Sequence, residues 1–320
     1  MIRCLGAILL CFGLFSCSKN YDTLPVEELN VGVDTWVNDI LTTHKDQIYA
    51  CGGDRMERGY SFRMDGENNW LTTILKHERN ASSIALFHSG KDSTWLIGRD
   101  MLLLYETNLW PEWNRRLFHG QVPEHEIHRP QIREIKNSGS DIWFVGGENL
   151  NEGVIYHSWD SGENWDFSVW DHELRDIEFY DDYQLVFGHG IIMRSFQDGE
   201  REILRTGDFF ISAEFDDDGN LIILTNQGGI LRSTDFGDSF EEILPQSPSK
   251  RSYLNLIKGD NDRLVACGAN GLVSVSDDFG LTWDHRTIEG NPPLTCASCV
   301  DGYYFFGSSQ GRIYRTQLDS

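Results

Sequence analysis

Three observations predict an all-β chain, a propeller of seven four-stranded blades. A short turn with the frame Ser-x-Asp-x-Gly-x-polar-aromatic recurs as "SWDSGENW" at Ser158–Trp165, "STDFGDSF" at Ser233–Phe240 and "SDDFGLTW" at Ser276–Trp283. With weaker copies at Arg63, Glu106, Ser195 and Thr316, the first position of the frame falls at 63, 106, 158, 195, 233, 276 and 316. Units of about 40 residues therefore fill the chain behind its leader. Between the turns lie short alternating apolar runs, and no segment has the spacing of an amphipathic helix. Four short strands per unit at this period is the pattern of propeller blades.

In chain order, residues 1–16, "MIRCLGAILLCFGLFS", carry one charge and then an apolar run too short to span a bilayer as a mature helix, and are expected to be an export signal. The run ends in Leu14-Phe15-Ser16-Cys17, which resembles the bacterial lipobox. That resemblance implies cleavage before Cys17 and acylation of its thiol, palmitate included, with two or three acyl chains giving stable anchoring. Residues 17–23 are then a lipidated tether of at most about 25 Å, and 24–320 the propeller. The expected location is the bacterial cell envelope, on its periplasmic or cell-surface side.

Within a unit the order is an alternating run, a turn, a second run ending in small residues, a glycine-rich loop, a third run leading into the frame, and a fourth after it. Unit six displays this as "YLNLIKG", "RLVACGANG", "LVSVSDD" and "WDHRTI". Unit seven supplies three strands, "LTCASCV", "YYFFGSS" and "GRIYRTQ", so its outer strand is expected from Leu24 to Val33. In the turn, Ser158, Ser233 and Ser276 and the carboxylates of Asp160, Asp235 and Asp278 are expected to accept backbone N–H bonds from their own hairpin. Gly162, Gly237 and Gly280 supply a positive φ, and Trp165, Phe240 and Trp283 pack inward. The three aspartates are therefore structural, and the units that lack most frame residues are expected to hold their turns differently.

Formal charge is −23, from 27 basic and 50 acidic residues, which repels phosphate backbones and anionic lipid and argues against nucleic acid as a partner. Of seven cysteines, Cys4 and Cys11 leave with the signal, and Cys51, Cys267, Cys296 and Cys299 are expected to be buried thiols. Cys296 and Cys299, three apart on a strand, face opposite ways and do not chelate together. No cofactor or metal site is expected. His119, His125 and His128 with Glu124 and Glu126 occupy a proline-bounded loop without a helix to converge them, so this loop is read as a partner-binding one. "GSSQG" at Gly307–Gly311 matches a nucleophile-elbow pattern but joins two strands, and "DDDGN" at Asp216–Asn220 lacks the alternation of a calcium loop.

If there is a functional site, it is expected where the glycine-rich loops between second and third strands approach the axis. Their polar members Arg55, Arg58, Arg99, Asp100, Glu148, Asn149, His189, Asn226, Gln227, Asn270 and Gln310 would rim one mouth of the channel, on the face opposite the repeated turn. Trp110 and Trp113 are candidates for an exposed aromatic patch.

The repeated turn resembles the Asp-box, or BNR, of sialidase-like propellers. An aromatic-Arg-Ile-Pro segment, which a sialidase carries near its start, is absent. The count of seven units, the run "GGILRSTDFG" at Gly228–Gly237 and the lipobox are similar to those of the photosystem II assembly-factor propellers. That resemblance implies a non-enzymatic scaffold for a membrane or membrane-associated protein, here expected to be monomeric. A carbohydrate-active hydrolase at the same mouth is the alternative.

Overall fold

The computed structural model describes residues 21–318 except 55–56, 67, 76–79, 90, 99–102, 108–113, 117–130, 139, 182, 197–200 and 248–250. Cys17, Arg55, Arg99, Asp100, Trp110, Trp113 and the histidines of the long loop lie outside the described residues. Among those described, strands dominate, and helix is confined to single turns at Asp260–Asp262 and Ala269–Gly271.

Period-two alternation with short polar turns makes antiparallel meanders, and within each sheet the meander follows chain order. The first sheet runs Trp36–His44, Gln47–Gly53, Gly59–Met64, Trp70–Leu75; the third runs Gln131–Ser138, Asp141–Glu148, Glu152–Ser158, Asp166–Trp170. The N-terminal segment supplies the outer strand of the last sheet: Glu27–Asn30 pairs antiparallel with Arg312–Gln317. Arg315 and Arg312 pin it through Glu27 and Glu28 at 2.6 and 2.7 Å. Just before it, Asp22–Leu24 adds in parallel to the edge strand Asp284–Ile288.

Among the described residues there are six hydrogen-bonded sheets where the sequence predicts seven units. The difference lies in one six-stranded sheet, in which two strands are unusually long. Tyr183–Phe196 pairs first with Leu174–Tyr180 and then with Arg201–Phe215, which continues onto Leu221–Thr225. Gly190 and Gly207, at φ +75° and +115°, bend the chain at the predicted loops without interrupting extended pairing.

The core fills the gaps between neighbouring sheets. Trp95 and Ile97 of the second sheet meet Ile135, Phe144, Tyr156 and Trp165 of the third, and Val37, Ile40 and Phe62 of the first meet Phe305 and Ile313 of the last. Burying each such side chain contributes about 1.5–3 kcal/mol.

The repeated turn is a hydrogen-bonded device whose three copies agree to within 0.2 Å in their shared bonds. Ser158, Ser233 and Ser276 each accept, through Oγ, the N–H of the frame glycine at 2.7, 2.8 and 2.7 Å. Asp160, Asp235 and Asp278 accept through Oδ1 the N–H of Asn164, Ser239 and Thr282 at 2.8, 2.9 and 2.8 Å. These bonds hold each aspartate below its usual carboxylate range, although at Asp278 burial works against them. Gly162, Gly237 and Gly280 have φ of +85°, +92° and +82°. Trp165 is buried, while Phe240 and Trp283 are partly so. One weaker copy is held more like these than expected: Asp65 binds the N–H of Asn69 at 3.0 Å, the aspartate half of the device without the serine half. The same local bond closes the turn at Asp216–Asn220, at 2.7 Å.

Candidate functional site

Seven strands, each the first of its run, slip register at a corresponding place, and Trp36–His44 slips again between Thr42 and His44. The slips fall between Val37 and Asp39, Ala81 and Ser83, Ile132 and Glu134, and Leu174 and Asp176. They recur between Phe210 and Ser212, Tyr253 and Asn255, and Leu294 and Cys296. At a bulge two successive side chains can face the same side. Here the skipped residue and its successor both line a cavity of about 170 Å³ at six of the seven slips, Ser82 lining it without Ser83 at the other, and Asn38, Asp39, Arg133, Glu134, Arg175 and Asp176 contribute polar groups.

The successor residues also tie one inner strand to the next. Asp39 Oδ2 accepts from Ser83 Oγ at 3.0 Å and from the N–H of Ile84 at 2.9 Å. Ser83 Oγ in turn accepts from Ile135 N, Ser212 Oγ from Leu256 N and Asn255 Oδ1 from Ala297 N, at 3.2, 3.3 and 2.9 Å. From the last inner strand, the hydroxyl of Thr295 and the thiol of Cys296 donate to Val37 O of the first. Between the Gln131–Ser138 and Leu174–Tyr180 strands the tie is ionic, with Lys136 Nζ 2.6 Å from Glu178 and 3.8 Å from Asp176.

Charge is layered along this channel. Toward the mouth, the buried Glu173 faces both Arg133 and Arg175, at 2.9 and 3.2 Å, and also accepts the N–H of Leu150. Arg175 lies over the ring of Phe209 at 4.7 Å. Burial, reinforced by Arg133, lowers the Arg175 pKa to about 10. Below them come Asp39, Glu134 and Asp176, then Lys136, Glu178 and Glu214. Burial pushes Asp39 up to about 6, Asp176 to about 7 and Glu214 to about 8, and Glu134 upward as well, the last two aided by neighbouring carboxylates. Lys136 is desolvated too, yet the carboxylates around it raise its pKa overall.

Of the rim residues expected from sequence, the structure brings some together. The loop carrying Glu148 and Asn149 meets His189 through Leu150, whose carbonyl lies 3.1 Å from His189 Nδ1. His172 Nδ1 sits 2.9 Å from the carbonyl of His189, and since a carbonyl only accepts, both rings carry a proton on Nδ1. Asn226 N donates to Phe209 O, and Gln227 O accepts from Ser247 N, at 3.0 and 2.8 Å. The Asn270 and Gln310 loops flank one connection, with Gly271 N on Pro292 O and Ser309 N on Pro293 O. Arg58 stands apart on a turn held by Asp54, whose Oδ1 accepts the Arg58 N–H at 2.7 Å.

Arg133, Arg175, Glu173 and the carboxylates beneath them were not among the expected residues. Their signal is a polar pair breaking the apolar alternation at the same place in three units: "VNDIL", "IREIK", "LRDIE". The four described cysteines are free thiols, three of them buried as expected and Cys299 only half-buried; Cys296 and Cys299 bind carbonyls of different neighbouring strands, Val37 and Lys258. Among the described residues, no group of three or more His, Cys, Asp or Glu is placed to hold a metal ion.

A model of the family of photosynthesis system II assembly factor YCF48 matches residues 19–313. The photosystem II assembly lipoprotein Ycf48 of Synechococcus sp. (strain CC9902) is 24% identical over 303 residues, 89% of this chain and 86% of that protein. Among solved structures, YCF48 bound to D1 peptide superposes with a TM-score of 0.69 at 19% identity, over 94% of this chain and 99% of the other. YCF48 from Cyanidioschyzon merolae gives 0.68 at 15% identity, over 91% and 98%. Virginiamycin B lyase from Staphylococcus aureus gives 0.72 at 14% identity, over 92% and 99%, a likeness of fold alone.

Proposed function

The chain belongs to the photosynthesis system II assembly factor YCF48 family, and from that premise we propose a non-enzymatic assembly scaffold that holds a segment of a membrane-associated protein at the mouth of a seven-bladed propeller. The family match across 19–313 carries this reading, because it takes in almost the whole folded chain. Seven register slips support seven blades, the six-stranded sheet being two blades joined without a break. Bonds from Thr295 and Cys296 to Val37 support closure of the last blade on the first.

Binding of a segment of a membrane-associated protein is supported by a relative, YCF48, that is bound to D1 peptide. Here the rim would present Glu148, Asn149, His189, Asn226 and Gln227 on glycine-rich loops, with Arg58, Asn270 and Gln310 farther round. The ring nitrogens of His172 and His189 serve backbone carbonyls, an arrangement suited to fixing loops. We place the chain as a monomer on the extracytoplasmic side of a bacterial membrane, anchored by lipid at Cys17 after loss of residues 1–16. A short tether raises the effective concentration of partners in the same membrane.

The test is affinity capture of the native lipoprotein from solubilised membranes, beside a variant whose loops 146–153 and 226–229 are neutral linkers. A membrane protein held by the first and lost by the second is expected. Capture of none, together with turnover in a broad glycan screen, would replace the scaffold by a hydrolase.

A further inference from the structure

Beneath the rim loops, the floor of the channel has chemistry that partner binding at the rim does not use. Arg133 and Glu134, and likewise Arg175 and Asp176, are consecutive residues at register slips, and all four line the same cavity. The two strands pack side by side, so the arginines form an upper tier and the acids a lower one, with Cα atoms about 3.8 Å apart along each chain.

Neither tier is saturated. Glu173 engages Nη2 of each guanidinium, which leaves Nη1 of Arg133 and of Arg175, both cavity-lining residues, without a protein partner among the described residues. In the lower tiers the carboxylates outnumber the cations: Asp39, Glu134, Asp176, Glu178 and Glu214 share Lys136. An anion alone would meet that acidic floor, and a cation alone would leave the arginine donors bare. At about 170 Å³ the cavity has room for several waters' volume, each about 30 Å³ in the liquid, or for one small organic molecule.

We propose that the channel floor binds a small zwitterion, an α-amino acid, whose carboxylate takes the open Nη1 N–H groups of Arg133 and Arg175 and whose ammonium sits among Glu134, Asp176 and Asp39. The two charges of such a ligand hang from one carbon, matching two tiers one residue apart. A partner's C-terminus lacks the ammonium and its N-terminus lacks the carboxylate, so each satisfies one tier only.

Calorimetric titration of the mature protein with glycine, L-alanine and L-lysine, and with acetate and methylammonium as half-ligands, tests this. At least one amino acid is expected to bind saturably, and both half-ligands at least about tenfold more weakly, equivalent to 1.4 kcal/mol. Arg175→Met is expected to weaken that binding at least tenfold. Glu134→Gln gives a second variant that keeps the fold, since it relieves crowding among carboxylates, and it is expected to weaken binding similarly. Absence of saturable binding of all three amino acids up to about 10 mM overturns the proposal, a range that covers millimolar affinity. So does acetate or methylammonium binding as tightly as the amino acid, which would make the site one for anions or cations only.

Discussion

A serine hydroxyl in the repeated turn does more than its size suggests. Ser276 Oγ accepts the buried N–H of Gly280 and donates to Asp278, so one atom sets both the loop and the carboxylate. Replacing Ser276 by Ala strands that N–H, and a loss of about 1–3 kcal/mol in a urea titration is expected. Lys136 is the other residue on which much depends. Lys136→Met leaves the surrounding carboxylates without their shared cation; breaking a buried pair costs about 3–5 kcal/mol. The loss is expected at pH 8, with recovery near pH 5 where Asp176 and Glu214 hold protons. An equal loss at both values would remove the charge argument.

Among elements, the register slips explain the small residues that close each second run. Strands meet there at backbone distance: a Cβ on Gly268 would stand 2.0 Å from Ser252 O, on Gly188 2.1 Å from Glu173 O, and on Gly98 2.1 Å from Asn80 O. Space, rather than a positive φ, makes glycine necessary at these places. Gly268→Ala is expected to destabilise by about 1–3 kcal/mol or more, as overpacking does, read as a fall in thermal midpoint. The N-terminal strand Glu27–Asn30 covers an edge that would otherwise be open. Deleting residues 21–30 bares Arg312–Gln317 as a pairing template, and concentration-dependent association is expected in size-exclusion chromatography. A variant that stays monomeric and equally stable would show the strand to be dispensable.

For the molecule as a whole, the channel makes stability depend on pH in an unusual sense. Asp39, Asp176 and Glu214 have folded pKa values of about 6, 7 and 8, whereas unfolded carboxyls titrate near 4. As pH rises from 4, the unfolded chain releases these protons first and is favoured. The contribution is fully present below about pH 4 and is lost as pH climbs through 6 to 8. The turn aspartates work the other way, since their lowered pKa values contribute above pH 4 and are lost on acidification. A maximum in mildly acidic solution follows, and the urea midpoint is expected to be higher at pH 5.5 than at 8.5. A higher midpoint at 8.5 would show that these groups ionise freely.

The sequence by itself determined the all-β class, the period, the turn chemistry and the N-terminal completion of the last sheet. These rest on local rules: alternation, a glycine at positive φ, and an aspartate that bonds four residues ahead. Only tertiary structure decided that Arg133, Glu134, Arg175 and Asp176 share a cavity with Asp39, because a one-residue slip turns side chains inward that strict alternation would send elsewhere. It also decided that the fourth and fifth units run together as one sheet, since Gly190 and Gly207 bend the chain without ending its pairing. Residues 39 and 134, and likewise 176 and 214, become neighbours in charge through the packing of adjacent strands, a relation that no local spacing carries.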